Sequence, residues 1–234
     1  MKPTILCIAA TLAACSLLAA DTPKDDVIAA AKKLGEKDNY SWKTTVEVPA
    51  SSQFRPGPTE GKTEKGGYTH VTMTFGDNSM VAITKGEKGA VTSPEGGWQS
   101  LAEIESSEGQ RRFIGMMVRN LRTPATQAEE LATQSKDLKK EGDVYSGALT
   151  EEGAKNFLRF RRGGGGDGPS ISNATGSVKF WVKDGSLSKY EFHVKGTVSF
   201  NGNDRDVDRR TTVEVKDVGT TKIDVPEEAK KKLS

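Results

Sequence analysis

The last third of the chain alternates apolar and polar residues with a period of two, three times in succession between turn signals. Residues 177–183 place Val178, Phe180 and Val182 on one side and Trp181 on the other. Asp184-Gly185 follows, a dipeptide suited to the positive φ angles of a two-residue hairpin turn. Strands expected over 187–200 and 206–216 continue the pattern, joined at Asn201-Gly202-Asn203. In the second of these, Val207, Thr211, Val213 and Val215 share one side; Asp208, Arg210, Glu214 and Lys216 share the other. Such alternation buries one face and leaves the other wet. Hairpin links make neighbouring strands antiparallel. A chain ending this way builds an antiparallel sheet with one apolar face, and something must cover that face.

The same period recurs upstream. Over 39–48, Tyr40, Trp42, Thr44, Val46 and Val48 oppose Ser41, Lys43, Thr45 and Glu47. Residues 49–57 read as a loop. Strands are expected at 67–75, with Val71, Met73 and Phe75 on one face, and at 79–85, turned at Gly76-Asp77-Asn78. A hairpin around Pro94-Glu95-Gly96-Gly97 ends at Trp98. Further strands are expected at 144–149 and, before Pro226 and a basic terminal helix, at 221–225.

Four segments have helical spacing. Thr22 can cap a helix with Pro23 at its first position, and Val27, Ile28, Ala31 and Leu34 form its stripe up to Gly35. Phe113, Met116, Met117 and Leu121 fall on one face of a second, which Pro124 ends. Thr123-Pro124 opens a third, through Leu131, and Thr150 caps a fourth carrying Ala154, Phe157 and Leu158. The fold class is therefore α+β: a strongly curved antiparallel sheet, an open half-barrel, with helices packed on its concave face. The glycine run 163–168 reads as a loop inside one domain spanning 21–234, because the strand pattern resumes on both sides of it.

Residues 1–20 read as a signal peptide. Lys2 is the positive end, and 5–20 is nearly all apolar or small. That run falls short of the ~20 residues a bilayer-spanning helix needs. Cutting after Ala20 uses Leu18 and Ala20 as the recognition pair and leaves a secreted or periplasmic chain. Leu12-Ala13-Ala14-Cys15 offers the other route, lipidation at Cys15 and a membrane-anchored lipoprotein. The chain has two cysteines, Cys7 and Cys15, so the exported part can form no internal disulfide. No transmembrane helix is expected in the mature chain, and the chain is expected to be a monomer.

Chemistry-bearing clusters are sparse. Lys, Arg, Asp and Glu nearly cancel to a net charge of +2, which argues against a nucleic-acid partner. His70 and His193 each sit opposite their strand's apolar face, with no ligand spacing around them, and no G-x-S-x-G elbow is present. No cofactor, metal or catalytic residue is expected. The run 201–208 offers alternate oxygen ligands for calcium without meeting the EF-hand pattern, and a solvated hairpin tip explains it as well. Arg159, Arg161 and Arg162 could attract anions such as lipid headgroups or an acidic glycan; a solvated basic face is the plainer account.

The ending Val213-Glu214-Val215-Lys216-Asp217-Val218-Gly219, then Ile223-Asp224-Val225-Pro226 and an Ala-containing helix, resembles the closing segment of the LolA-like lipoprotein-carrier superfamily. Envelope lipoproteins of the LppX/LprG kind share this look. The resemblance spans most of the exported chain in order of elements. It implies a non-enzymatic envelope protein, with a lipid or acylated ligand in the hollow between sheet and helices. Trp42, Val71, Met73, Phe75, Phe113, Met116 and Met117 are the residues expected to line such a hollow. The strand faces are rich in Thr, Lys and Glu, which suits the rival reading: an interaction module contacting protein or glycan, its core filled by its own helices.

Overall fold

The computed structural model describes residues 22–52, 55–93, 96–159, 169–200 and 202–234. The leader with Cys15, the glycine run 163–168 and Asn201 lie outside the described residues. The described chain forms one open antiparallel sheet of eleven strands. They are β1 (Asn39–Glu47), β2 (Thr59–Glu64), β3 (Thr69–Phe75), β4 (Asn78–Lys85), β5 (Lys88–Thr92), β6 (Trp98–Ser100), β7 (Ser135–Glu141), β8 (Val144–Leu149), β9 (Ser170–Lys183), β10 (Ser186–Phe200) and β11 (Asn203–Lys216). The order across the sheet is β6-β5-β4-β3-β2-β1-β11-β10-β9-β8-β7. Two meanders are thus joined where the first strand pairs with the last, Trp42 opposite Val215 and Thr44 opposite Val213. Strands on either side of the glycine run, β8 and β9, are direct neighbours.

The helices are α1 (Pro23–Gly35), α2 (Leu101–Glu105), α3 (Gln110–Arg119), α4 (Pro124–Thr133), α5 (Glu151–Leu158) and α6 (Glu227–Lys232). Local chemistry explains where they begin. The Asp25 backbone N–H donates to the Thr22 hydroxyl at 3.3 Å, and the Thr22 N–H donates to the Asp25 carboxylate at 3.1 Å, a reciprocal cap. Thr123 and Thr150 cap α4 and α5 in the same way on one side. Ala30 and Ala31 of α1 are buried, as are Ala125, Ala128 and Ala132 of α4, and these small side chains let the two helices lie close together. Beneath them Phe180 and Tyr190 are fully buried. The Tyr190 hydroxyl donates to Gln127 Oε1 at 2.7 Å, so its one polar atom is satisfied.

Five helices share the main core with the inner face of the sheet. The sixth does not. Ala82 and Val91 point into the main core, while their neighbours Ile83 and Ala90 point the other way and are covered by Val225, Ala229 and Leu233. This end of the sheet is buried on both faces, so Met80-Val81-Ala82-Ile83 reads as a continuous apolar run rather than an alternation.

Other differences from the sequence reading have physical causes. Residues 221–225 are not a strand. Both edges of β11 are already taken, by β1 and β10. Asp217 (φ 48) and Gly219 (φ 83) turn the chain away, and the Thr221 hydroxyl donates to the Asp217 carbonyl at 2.8 Å. Strand β2 shows no apolar alternation, because Thr59-Glu60-Gly61-Lys62-Thr63-Glu64 has no apolar residue. Its inner positions are Gly61 and Thr63, and the Trp42 indole lies across Gly61. A Cβ built at Gly61 would stand 2.1 Å from Trp42 Cζ2. Strand β7 carries one inner apolar residue, Leu138, and Asp137 (φ 53) breaks its register between Lys136 and Lys139.

Gly61→Ala should therefore force Trp42 out of place and destabilise the fold by about 1–3 kcal/mol. Urea unfolding followed by tryptophan fluorescence checks this; an unchanged midpoint would contradict the close approach of Trp42.

Candidate functional site

The helices press most closely on the two ends of the sheet. α1 and α5 lie over β9 and β10, and α2 lies over β5 and β6. Between them the inner face of the middle strands meets α3 and α4 across a gap. The result is a cavity of about 780 Å³. Its floor is sheet: Trp42 from β1, Val71 and Met73 from β3, Phe192 and Val198 from β10, and Thr211 from β11. Strands from both meanders reach one cavity, so the sheet curves around it. Its roof is α3, through Phe113, Met116 and Met117, with Leu121 just beyond the helix. Phe157 of α5 closes one end and packs on Phe192, ring centres 5.3 Å apart. The cavity is open to solvent along α3, where Phe113 is 43% exposed.

Six of the seven residues expected to line a hollow are therefore brought around one space: Trp42, Val71, Met73, Phe113, Met116 and Met117. Phe75 is not. At the last position of β3 it packs against the core without reaching the lining.

Among the described residues, the charged part of the lining is mostly cationic. Arg122, Arg159, Arg205 and Arg209 face the cavity, against one carboxylate, Glu130. Glu130 is held by Arg122, Nε to Oε1 3.3 Å, and Arg159 lies 3.5 Å from Glu152 outside the cavity. Arg161 and Arg162 lie outside the described residues. Arg209 differs from the other three. Its Nη2 donates to the Phe157 carbonyl at 2.8 Å, near the C-terminal end of α5, but its Nε is buried without a partner. Desolvation pushes its pKa below the ordinary guanidinium value, and no carboxylate offsets that effect.

Arg209 leaves a trace in the sequence. Positions 207, 209, 211, 213 and 215 share the apolar side of β11, so Arg209 is a cation where alternation calls for an apolar side chain. Phe192 and Val198 were equally legible from the inner parity of β10. Helical spacing puts Phe157 on α5, and its approach to Phe192 depends on tertiary packing.

The two histidines do not meet. β3 and β10 are four strands apart in the sheet, roughly 19 Å at the usual strand spacing, and neither histidine lines the cavity. His193 Nε2 lies 2.6 Å from Asp208 Oδ1, and Lys195 Nζ lies 2.8 Å from Asp208 Oδ2, a ladder on the outer face. Next to it Arg210 pairs with Glu191. In the run 201–208, Asp206 accepts a hydrogen bond from the Thr197 hydroxyl at 2.8 Å, and Asp208 is held by Lys195 and His193. Among the described residues no group of three or more His, Cys, Asp or Glu side chains is placed to hold a metal ion. Nor is any helix among them long and apolar enough to cross a membrane.

No family model and no curated protein matches the sequence. Among solved structures, the chain is similar to Mycobacterium tuberculosis lipoprotein LppX, with a TM-score of 0.48 and 9% sequence identity over 86% of this chain and 97% of that one. It is also similar to LprF from Mycobacterium bovis, with a TM-score of 0.47 and 9% identity over 88% of this chain and 97% of that one. At such identity the likeness is one of chain path and carries no residue role across.

Lys195 first, and then His193, hold the Asp208 carboxyl below the ordinary carboxylate range. A lowered folded-state pKa contributes stability above the unfolded-state value, and that contribution is lost as pH falls through the folded one. In an NMR titration Asp208 should protonate below the ordinary carboxylate value, and Lys195→Met should move its midpoint up. A midpoint unmoved by that substitution would contradict the ladder.

Proposed function

We propose that this protein is a non-enzymatic binder of an apolar or lipid-like ligand, exported to the cell envelope by its leader, with the central hollow as its site. The observation that carries this reading is the hollow itself: space beside an apolar sheet face that the chain's own helices leave unfilled. Its volume, about 780 Å³, falls within the range of roughly 300–1,000 Å³ usual for small-molecule sites. Trp42, Val71, Met73, Phe113, Met116 and Met117 are proposed as ligand contacts. Paired methionines suit a ligand of variable shape, because the unbranched thioether side chain adapts its rotamers to what it meets. Ten buried methylenes would contribute about 8 kcal/mol, to be set against an association cost of roughly 4–15 kcal/mol. The rival reading, an interaction module with a filled core, has no such hollow.

The non-enzymatic part rests on where the titratable groups stand. Both histidines lie away from the cavity, and the Asp208 ladder faces out. Inside, the polar groups among the described residues are amides, hydroxyls and guanidinium groups, with one carboxylate, Glu130, tied up by Arg122.

Titration with a fluorescent long-chain fatty acid tests the assignment. The wild-type chain should bind it saturably, one per molecule. Met116→Trp places bulk in the hollow from its roof and should weaken binding at least tenfold, with a melting temperature within a few degrees of wild type. Equal affinity in the two proteins, or no binding by the wild type, would count against the hollow as the site.

A further inference from the structure

Among the described residues, Arg209 is a charged group at the cavity whose charge no feature of the fold explains. A guanidinium has five N–H donors. At Arg209 one of them reaches the Phe157 carbonyl, and the buried Nε reaches nothing. That carbonyl lies near the C-terminal end of α5, where a cation is favoured, so Arg209 does fasten α5 to the sheet. A neutral amide would make the same bond without a buried charge. Arg209 is half-buried, and the desolvated part of its charge carries a cost that a neutral amide would not have there. The neighbouring charges deepen the puzzle. Glu130, the single carboxylate among the described lining residues, is held by Arg122, and Arg205 adds a further cation at the exposed end of β11. Among the described residues, four arginines against one glutamate surround a cavity in a chain whose total charge is +2. The excess is local, and it sits beside apolar space.

We propose that the ligand of this hollow is an anionic amphiphile, its carboxylate or phosphate head seated on Arg209 and its apolar chain lying over Trp42 and Met73 beneath α3. The inference rests on the apolar-ligand reading above and adds the chemistry of the head. A guanidinium already pinned by one N–H presents its remaining donors in a fixed fork, and a carboxylate or phosphate accepts from two of them at once. The anion would accept from the guanidinium of a residue that lines the cavity and would offset the local excess of positive charge. Chain and head together would then give the ligand one orientation.

Three probes of equal chain length test this on the full exported chain: hexadecanoate, hexadecyl phosphate and hexadecanol. Wild type should bind one or both anions at least tenfold more tightly than the alcohol, and whichever anion binds tighter identifies the head. In Arg209→Met that preference should vanish while the affinity for hexadecanol stays within about threefold. Equal wild-type affinity for all three overturns the anionic head and leaves the apolar-ligand reading standing; no binding of any overturns that reading itself. If Arg209→Met does not fold, the wild type still decides. The Nε–H resonance of Arg209 should shift on addition of the preferred anion and not of hexadecanol, and a signal that neither anion moves overturns the proposal.

Discussion

Eleven strands present more inner face than five short helices can cover, and the hollow is what is left over. An antiparallel sheet with one apolar face must be shielded from water along its whole width. Here the shielding is uneven. α1 and α5 sit tightly on β9 and β10, with Gly196 on the inner side of β10 where a Cβ would stand 2.7 Å from Leu158 Cδ1. α2 holds the other end. The middle, where the first strand meets the last, is bridged by α3 and α4 at a distance. Curvature, cavity and the exposure of Phe113 all follow from that shortfall.

The strands were legible wherever one side of the alternation was apolar. β1, β3, β4, β8 and the final meander show in the sequence because Tyr40, Trp42, Val71, Phe180, Tyr190 and Val213 recur at the spacing of a buried face. β2 and β7 did not show, for a common reason: their inner positions are filled by a neighbour's side chain or by almost none. Gly61 is covered by Trp42 from the next strand, so the information about β2 is stored in β1. Residues 221–225 failed in the opposite sense. Their alternation is real, with Thr221 and Val225 buried, but Thr221 is buried by a turn and Val225 by α6.

The site was half legible. The apolar lining could be read, because Met116 and Met117 share a helix face with Phe113, and Val71 shares a strand face with Met73. Phe75 continues that strand face and still misses the lining, since parity fixes the side of a sheet but not the extent of the space beside it. The arginines belong to the other half. Arg209 sits on the apolar side of β11, and a break in an otherwise regular alternation is the only sequence trace such a group leaves.

The central claim is that the space under α3 is built for an occupant. Native mass spectrometry of the protein taken from its own envelope tests this most directly. The account predicts a population heavier than the bare chain by the mass of one lipid-like molecule, released when the protein is unfolded. A single ligand-free mass, in a protein that also takes up no labelled fatty acid, would contradict it.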